Sequence, residues 1–454
     1  MKATIEAVRA ALDAGATTSK RLVEACLERA TAADGEGSRT FVRLFAEQAL
    51  ADAEAIDLRR RAGLWTGPLG GIPISIKDLF DVRGMPTTAG SVALADSAPA
   101  ASDAVAVTRL RAAGAVIIGR TNMTEFAFSG LGLNPHYGTP ACPFDRAAGR
   151  IPGGSSSGAA ISVSDGMSIA AIGTDTGGSV RIPAALCGLV GFKPTAARVP
   201  LAGALPLSSS LDSIGPIGLS VRCCRILDAV LTDQTSQPTP PIGLQGLRLA
   251  VPADRVFDDI DPYVKRTFDN AISDLWEAGV QVTSIPFPEF VAVGKTAEIA
   301  TFPAAEGFAW HRDLLTRARD RYDPRVATRL EKGRNISAAD YLWLMKRRKE
   351  LIAEARLRAT RFDALALPTV PIVAPTIAEL EQDDDVYHRT NLLVLRNPTL
   401  INFLDGCALS LPCHRSGEAP VGLMLARLNG GDDLVLAIGE AIEAFFNESG
   451  RRNR

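Results

Sequence analysis

The sequence lacks the features that mark membrane, secreted and nucleic-acid-binding proteins. No stretch approaches the run of about 18 apolar residues that is typical of a transmembrane helix. The N-terminal segment, MKATIEAVRAALDAG, lacks the continuous apolar core of a signal peptide. The 49 basic and 51 acidic side chains leave a net charge of −2. We therefore expect neither a nucleic acid nor a membrane as a partner.

Potential disulfide and metal ligands are also few. The seven cysteines are an odd number without a C-x-x-C pair, and the four histidines lie far apart without H-E-x-x-H spacing. We expect reduced thiols in a cytoplasmic protein that uses no metal and no organic cofactor. The residues concerned are Cys26, Cys142, Cys187, Cys223, Cys224, Cys407, Cys413, His136, His311, His388 and His414.

Strand-like and helix-like segments alternate along most of the 454 residues. The alternation predicts one α/β domain over residues 1–454, layered α/β/α around a large mixed, mostly parallel sheet. Residues 1–64 are predicted to be helical, and residues 243–360 to form an α/β and helical excursion from the same sheet. The Pro/Ser/Thr-rich segment 234–242, QTSQPTPPI, is typical of a surface linker. A homodimer is compatible with the sequence.

A predicted strand that ends in a lysine lies within residues 70–81, GGIPISIKDLFD. Ile72, Ile74 and Ile76 occupy every second position, which is the period of a β-strand. Lys77 follows them and is expected to be partly buried. The alternative for this lysine, taken alone, is a side chain that extends along the apolar surface to reach water.

Residues 151–163, IPGGSSSGAAISV, place two glycines and three serines before a predicted helix of small residues. The N–H groups at a helix start bind anions or are capped by serine hydroxyls, so a capped turn is one interpretation. The run from Gly154 to Gly158 also matches G-x-S-x-G, the nucleophile elbow of α/β-hydrolases, with Ser156 as nucleophile. That elbow requires a preceding strand, which AAGRIPG does not predict, so we do not favour it.

Residues 173–183, GTDTGGSVRIP, follow the strand-like segment MSIAAI. Two consecutive glycines allow successive N–H groups to point into one space, and such a nest can stabilise a developing oxyanion. Ser179 ends this turn, at the position where a nucleophile would lie. Taken alone, the Gly-Gly-Ser sequence is equally compatible with a flexible loop.

Together these segments resemble the amidase signature family, whose hallmark is a stretch from GGSS to GGSxR with a catalytic lysine upstream. Ser179 lies 24 residues after Ser155, and Lys77 lies 78 residues before it in a G-I-P-x-x-x-K-D setting. Further similar segments are TNMTEFAFSGLGLNPHYGTP, LSSSLDSIGPIG and FDALALPTVP. The resemblance covers about residues 65–225 and returns after 360. Ser157 differs from the family pattern, because many members have glycine at this position.

The resemblance implies the amidase signature fold and a serine–serine–lysine mechanism. Ser179 would attack the carbonyl, Ser155 would lie on a cis peptide bond and relay the proton, and Lys77 would be the base. A serine hydroxyl is a weak nucleophile until a base takes its proton, and a lysine is a base only when neutral. Burial would favour that neutral form. The implied oxyanion hole consists of the backbone N–H groups of Thr176, Gly177, Gly178 and Ser179.

We therefore expect an amidohydrolase that cleaves the C–N bond of a small linear carboxamide and releases ammonia or an amine. Phe126, Phe128 and Tyr137 are candidates for the acyl pocket, although each of them could equally belong to the core. One alternative is the glutaminase component of a glutamyl-tRNA amidotransferase, which would need a partner protein. The C-terminal stretch VYHRTNLLVLRNPTLINFLDGCALSLPCH favours a free-standing enzyme instead. A second alternative is a non-catalytic binding protein on the same fold.

Overall fold

One large sheet organises the chain in the computed structural model, which describes residues 3–234, 242–428 and 430–450. Most of the predicted linker 234–242 therefore lies outside the described residues. The strands of the sheet are β1 (Phe41–Leu44), β2 (Pro73–Lys77), β3 (Val116–Thr121), β4 (Ala170–Thr174), β5 (Val190–Lys193), β6 (Ile214–Gly218), β7 (Arg248–Pro252), β8 (Gln281–Ile285), β9 (Ala364–Pro368), β10 (Cys407–Pro412) and β11 (Gly422–Arg427).

Helices pack around this sheet and complete the predicted α/β architecture. They are α1 (Ile5–Asp13), α2 (Ser19–Thr31), α3 (Gly37–Thr40), α4 (Ala46–Arg61), α5 (Val105–Ala112), α6 (Ser157–Ser164), α7 (Arg181–Leu186), α8 (Val221–Thr232), α9 (Pro262–Glu277), α10 (Pro288–Ile299), α11 (Phe302–Ala318), α12 (Pro324–Glu331), α13 (Ala338–Ala359), α14 (Ile377–Gln382), α15 (Asp384–Phe403) and α16 (Asp432–Glu448).

The sheet is mixed, as predicted, and its described strands follow the order β1-β3-β2-β4-β6-β5-β10-β11-β9-β7-β8. The predicted predominance of parallel pairs needs correction, because six of the ten pairings in the described residues are antiparallel. Parallel pairs are confined to the blocks β3-β2-β4 and β9-β7-β8. The short connection from β10 to β11 allows only an antiparallel hairpin, since a parallel pair needs a longer crossover.

The N-terminal segment is helical as predicted, with one exception. Thr4 caps α1, whose residues Ile5, Val8 and Leu12 are buried along one face. The exception is β1, a four-residue strand that pairs antiparallel with β3 at the edge of the sheet. The segment therefore both covers the sheet and extends it.

Residues 243–360 begin as part of the same sheet and then leave it. β7 pairs parallel with β9 and β8 pairs parallel with β7, so both extend the edge of the sheet. The helices α10 to α13 follow and form the rest of the excursion. The segment shares the central sheet, and its helices α10 and α13 pack over buried residues of β7, β9, β10 and β11.

The parallel neighbours β2 and β4 determine where the candidate site lies. Their register places Ile76 beside Ile172, so the two strands end at the same edge of the sheet. Helix α6 packs across both strands, and Ser162 on this helix is hydrogen-bonded to Ser75 at 2.8 Å. The carboxyl ends of the two strands and the start of α6 therefore converge.

Candidate active site

Lys77 is the last residue of β2 and is completely buried. Its Nζ lies 2.8 Å from Ser155 Oγ and 2.9 Å from Thr174 Oγ1. Thr174 is the last residue of β4, so the convergence of the two parallel strands produces this contact. The structure therefore joins Lys77 and Ser155 as predicted and adds Thr174, which sequence reasoning did not identify.

The amine of Lys77 is shifted towards its neutral form. Burial lowers its pKa to about 7, although the negative charges of Asp175 and Asp212 partly oppose the shift. A lysine with such a pKa is neutral in a large fraction of molecules at neutral pH. The apolar strand that precedes Lys77 thus prepares it to accept a proton.

Ser155 lies in the loop that leads into α6, and the peptide bond between Gly154 and Ser155 is cis. Its carbonyl accepts a hydrogen bond from the Thr124 amide at 3.1 Å. The elbow interpretation centred on Ser156 finds no support, since the described residues between β3 and β4 contain no strand to precede it. The Ser156 hydroxyl is buried and lies 3.3 Å from the Thr174 carbonyl.

Ser179 follows a loop that a buried carboxylate holds in place. Asp175 accepts hydrogen bonds from the amides of Gly178 at 2.8 Å and Val180 at 3.1 Å. It also forms an ion pair with Arg181 at 2.9 Å, in which both side chains are fully buried. Burial alone would raise the pKa of Asp175, but Arg181 and further polar contacts hold it below its usual value. Asp175 is therefore a fixed anion that shapes the loop that carries Ser179.

The amides of this loop fall into two groups. The Gly178 amide is engaged by Asp175, so its assignment to the oxyanion hole needs correction. In the described residues no hydrogen bond engages the amides of Thr176, Gly177 and Ser179. These three N–H groups remain available to a ligand oxygen.

The two serine segments lie side by side. The Ser156 amide donates to the Ser179 carbonyl at 3.2 Å, which places Ser179 next to the loop that carries Ser155. Among the described residues no hydrogen bond links the Ser155 and Ser179 hydroxyls. The structure thus brings the three predicted residues into one region and directly connects Lys77 with Ser155.

A cavity of about 180 Å³ adjoins the carboxyl ends of β2 and β4. Its polar wall includes Thr174, Thr176 and Asp212, and the rest of the lining is Leu79, Ala127, Leu201, Ala204, Leu205, Pro206, Leu207 and Ser209. Asp212 accepts a hydrogen bond from the Thr176 hydroxyl and from the amides of Leu207 and Ser208. Burial raises the pKa of Asp212 to about 6 despite these hydrogen bonds.

The three aromatic residues proposed for the acyl pocket do not line this cavity. Phe126 is a core residue, with its ring centroid 4.3 Å from that of His311 and 5.0 Å from that of Tyr322. Phe128 is buried under the guanidinium of Arg329, and Tyr137 is partly buried.

The cavity is lined instead by Ala127, which lies between the two phenylalanines in the sequence, and by the loop 201–212. The sequence contained no periodicity that could assign this loop to the site.

The histidines and cysteines do not build a second centre. No group of His, Cys, Asp or Glu side chains in the described part of the chain could hold a metal ion. His136 pairs with the buried Glu125 at 2.9 Å, and burial lowers the pKa of His311 to about 3. All seven cysteines are buried free thiols.

Within the described ranges, no helix is both long enough and apolar enough to span a membrane.

Comparisons with known proteins agree with this geometry. The chain matches the Amidase family over residues 21–436. It is 36% identical over 404 residues to the 2-amino-5-chloromuconic acid deaminase of Comamonas testosteroni, with 87% of this chain and 86% of the relative covered. It is 35% identical to one component of the glutamyl-tRNA(Gln) amidotransferase of Chloroflexus aggregans, with 99% of this chain and 97% of that component covered.

A solved structure, described as the crystal structure of an amidase, superposes with a TM-score of 0.88 at 33% identity and covers 97% of this chain and 99% of that chain. The shared architecture therefore extends over nearly the whole molecule.

Proposed function

The chain belongs to the amidase family and hydrolyses carbon–nitrogen amide bonds, and from this premise we propose that it acts through an acyl-enzyme on Ser179. The observation that carries the proposal is the 2.8 Å contact between the fully buried Lys77 amine and Ser155 Oγ. A neutral amine at this position has a lone pair that accepts the Ser155 proton and an N–H that is donated to Thr174. This arrangement supports the role of a general base for Lys77 over that of a structural cation.

The first step is the attack of Ser179 Oγ on the amide carbon. Its proton passes through the Ser155 hydroxyl to Lys77, while the carbonyl oxygen gains negative charge. The amides of Thr176, Gly177 and Ser179 stabilise that charge, whereas the Gly178 amide holds the loop through Asp175. One such donor is typically worth about 3–4 kcal/mol to the transition state.

Collapse of the tetrahedral intermediate breaks the C–N bond, and the proton held by Lys77 returns through Ser155 to the departing nitrogen. A water molecule then attacks the acyl-enzyme, with the same relay taking its proton. The products are a carboxylate and either ammonia or an amine, and free Ser179 is restored. Atoms and charge balance without a metal or an organic cofactor.

We propose a small amide as substrate and the cytoplasm as location. The cavity beside Thr174 and Thr176 has room for a compact group of a few non-hydrogen atoms and is largely apolar. The seven free thiols fit a reducing compartment. A relative named for a deaminase activity supports ammonia as a leaving group.

The test is hydrolysis by the purified chain alone. A library of primary and secondary amides would be screened for release of ammonia or amine, with Ser179→Ala as the matched inactive control. We expect turnover of at least one primary amide and its loss in the variant. Turnover that survives in Ser179→Ala would contradict the acyl-enzyme mechanism.

A second candidate function is the glutaminase step of a glutamyl-tRNA amidotransferase. The observation that favours it is the 35% identity to the Chloroflexus aggregans amidotransferase component over 99% of this chain. Glutamine would be hydrolysed efficiently only when partner proteins are present. Efficient hydrolysis of non-glutamine amides by the isolated chain would decide in favour of the free-standing enzyme.

A further inference from the structure

The half-buried carboxylate of Glu306 on α11 collects hydrogen bonds from one short segment, residues 207–212. It accepts Ser208 Oγ at 2.7 Å, the Ser210 amide at 3.1 Å and the Ser210 hydroxyl. Tyr341 Oη on α13 donates to the same carboxylate at 2.6 Å. Hydrogen bonds to an ionised acceptor are stronger than those between neutral groups. Two helices of the excursion therefore hold a segment that belongs to a distant part of the chain.

The same segment is fastened on its other side to the loop that carries Ser179. The Asp212 carboxylate accepts the amides of Leu207 and Ser208, each at 3.0 Å. Its other oxygen accepts the hydroxyl of Thr176. The segment thus lies between a carboxylate supplied by α11 and the loop whose amides are the proposed oxyanion donors.

Segment 207–212 is also a wall of the cavity described above. Leu207, Ser209 and Asp212 all line that cavity. Helix α11 packs directly against the segment, since a methyl group placed on Gly307 would lie 3.5 Å from the Leu207 side chain. Ser208, which Glu306 binds, lies between two of the lining residues. The position of the wall therefore depends on a carboxylate that does not itself line the cavity.

We propose that Glu306 is a positioning residue that holds segment 207–212 as a rigid wall, so that the site selects amides with a compact acyl group. This inference rests on the proposed function, because it places in this cavity the acyl group of an amide that Ser179 attacks. Glu306 acts only through the segment. Its loss should leave the bond-breaking groups in place and relax the limit on the size of the acyl group.

The first measurement is hydrogen–deuterium exchange of the purified chain, read by mass spectrometry of peptides that cover residues 201–212. Glu306→Ala should speed exchange of the amides of segment 207–212 by about tenfold or more. The reason is that the Ser210 amide loses its acceptor and the neighbouring amides lose their fixed geometry. This readout does not depend on catalysis.

The second measurement is kcat/KM for the best primary amide of the library screen and for analogues whose acyl chain is longer by one to three methylene groups. In the wild-type chain kcat/KM should fall as the acyl chain outgrows the cavity. Glu306→Ala should reduce this discrimination by about tenfold. A purely structural loss would instead lower kcat/KM equally for all members of the series.

Two further variants separate positioning from general destabilisation. Glu289→Ala is the matched control, since Glu289 on α10 is buried and its side chain pairs with Arg358 at 2.8 Å. It should lower stability and leave both readouts unchanged. Ser208→Ala removes one donor and keeps Glu306, so it should change both readouts in the same direction by a smaller factor, even if Glu306→Ala fails to fold.

The outcomes for the inference and for the proposed function are distinct. Unchanged exchange of segment 207–212 in Glu306→Ala or Ser208→Ala would overturn the positioning role. Faster exchange with an unchanged preference for acyl length would overturn the role in selection. A wild-type chain that hydrolyses no amide of the library would contradict the proposed function and the selection with it, whereas the exchange result would still decide whether Glu306 holds the segment.

Discussion

At the scale of single residues, the proposed mechanism depends on the protonation state of Lys77. The lysine is buried at the end of β2, where hydroxyls of Ser155 and Thr174 are its hydrogen-bond partners. Neither partner carries a charge that would hold the amine protonated. The carboxylates of Asp175 and Asp212 raise the pKa of Lys77 only in part against the effect of burial, which leaves it at about 7. The residue is therefore suited to exchange a proton near neutral pH.

The first prediction is the pH dependence of kcat/KM. The neutral fraction of Lys77 grows as pH rises through about 7, so activity should rise through that range and level off on the alkaline side. Lys77→Arg should lower kcat/KM by about 10²–10⁴-fold, because arginine stays protonated at any working pH. The measurement is a pH–rate profile of both proteins, with folding checked by circular dichroism. A folded arginine variant with near-normal turnover at neutral pH would recast Lys77 as a structural residue.

Sequence reasoning identified the residues of the site that carry a recognisable pattern and missed those that depend on packing. Lys77 follows an alternating strand, and Ser155 and Ser179 lie in distinctive glycine-rich segments. Thr174 was missed because its role arises only when β2 and β4 lie side by side. Asp212 was missed because 36 residues separate it from Thr176, its partner in the structure.

At the scale of elements, the nucleophile loop between β4 and α7 is held by a buried ion pair. Asp175 accepts amide hydrogens of the loop, and Arg181 neutralises its charge at 2.9 Å. Asn402 on α15 donates to the same carboxylate at 2.9 Å. Three separate elements therefore fix the backbone from which the proposed oxyanion donors extend.

The second prediction concerns this ion pair. Arg181→Met should lower the free energy of unfolding by about 3–5 kcal/mol, since it leaves the buried Asp175 carboxylate without its ion-pair partner. It should also lower kcat of the folded fraction more than tenfold, because the loop amides lose their fixed position. Urea unfolding and steady-state kinetics measure the two effects.

The matched control is Arg198→Met, which removes an ion pair with Asp228 on α8 at 2.8 Å. The hydrogen bonds of the Arg198 side chain in the described residues go to Asp228 and Asp433 and not to the loop that carries Ser179. This variant should lose stability but keep its kcat. Equal losses of kcat in the two variants would mean that general destabilisation, and not the position of the loop, explains the effect.

Elements with clear periodicity were predicted well, and short or context-dependent ones were not. The alternating isoleucines predicted β2, and the amphipathic pattern predicted the helices within residues 1–64. β1 was not predicted, because a four-residue strand has little periodicity and forms only by pairing with β3. Phe126 and Phe128 were proposed for the pocket because of their position in the sequence. Packing against His311, Tyr322 and Arg329 places them in the protein interior instead.

At the scale of the whole molecule, one sheet connects the candidate site to the excursion 243–360. The strands β2 and β4, which end in Lys77 and Thr174, lie towards one end of the sheet, and β7 and β8 lie at the other edge. The excursion shares backbone hydrogen bonds with β9 and does not form a sheet of its own in the described residues. We therefore propose that the whole chain is one structural domain.

The third prediction follows from that continuity. Differential scanning calorimetry should show one cooperative transition, because unfolding of the excursion would expose the edge of the shared sheet and its core. Addition of a slowly hydrolysed substrate analogue should shift the entire transition upwards. Two transitions, of which only one shifts with the ligand, would instead identify the excursion as an independent domain.

The overall class of fold could be predicted from the alternation of strands and helices, but the strand order could not. Alternation predicts a layered α/β protein, whereas the direction of each neighbouring strand depends on connections of very different length. Apart from the β10–β11 hairpin, the antiparallel centre from β4 to β9 arises from pairing between segments distant in the sequence, which local patterns do not encode. The predominance of parallel pairs was accordingly overestimated.

The measurement that tests the central claim most directly is mapping of the residue modified by a fluorophosphonate, by mass spectrometry of the digested protein. We expect a single adduct on Ser179, absent in Ser179→Ala and formed much more slowly in Lys77→Met, because the relay that activates the hydroxyl would be lost. An adduct on Ser156, or on Ser155 in the wild-type chain, would contradict the assignment of Ser179 as the nucleophile.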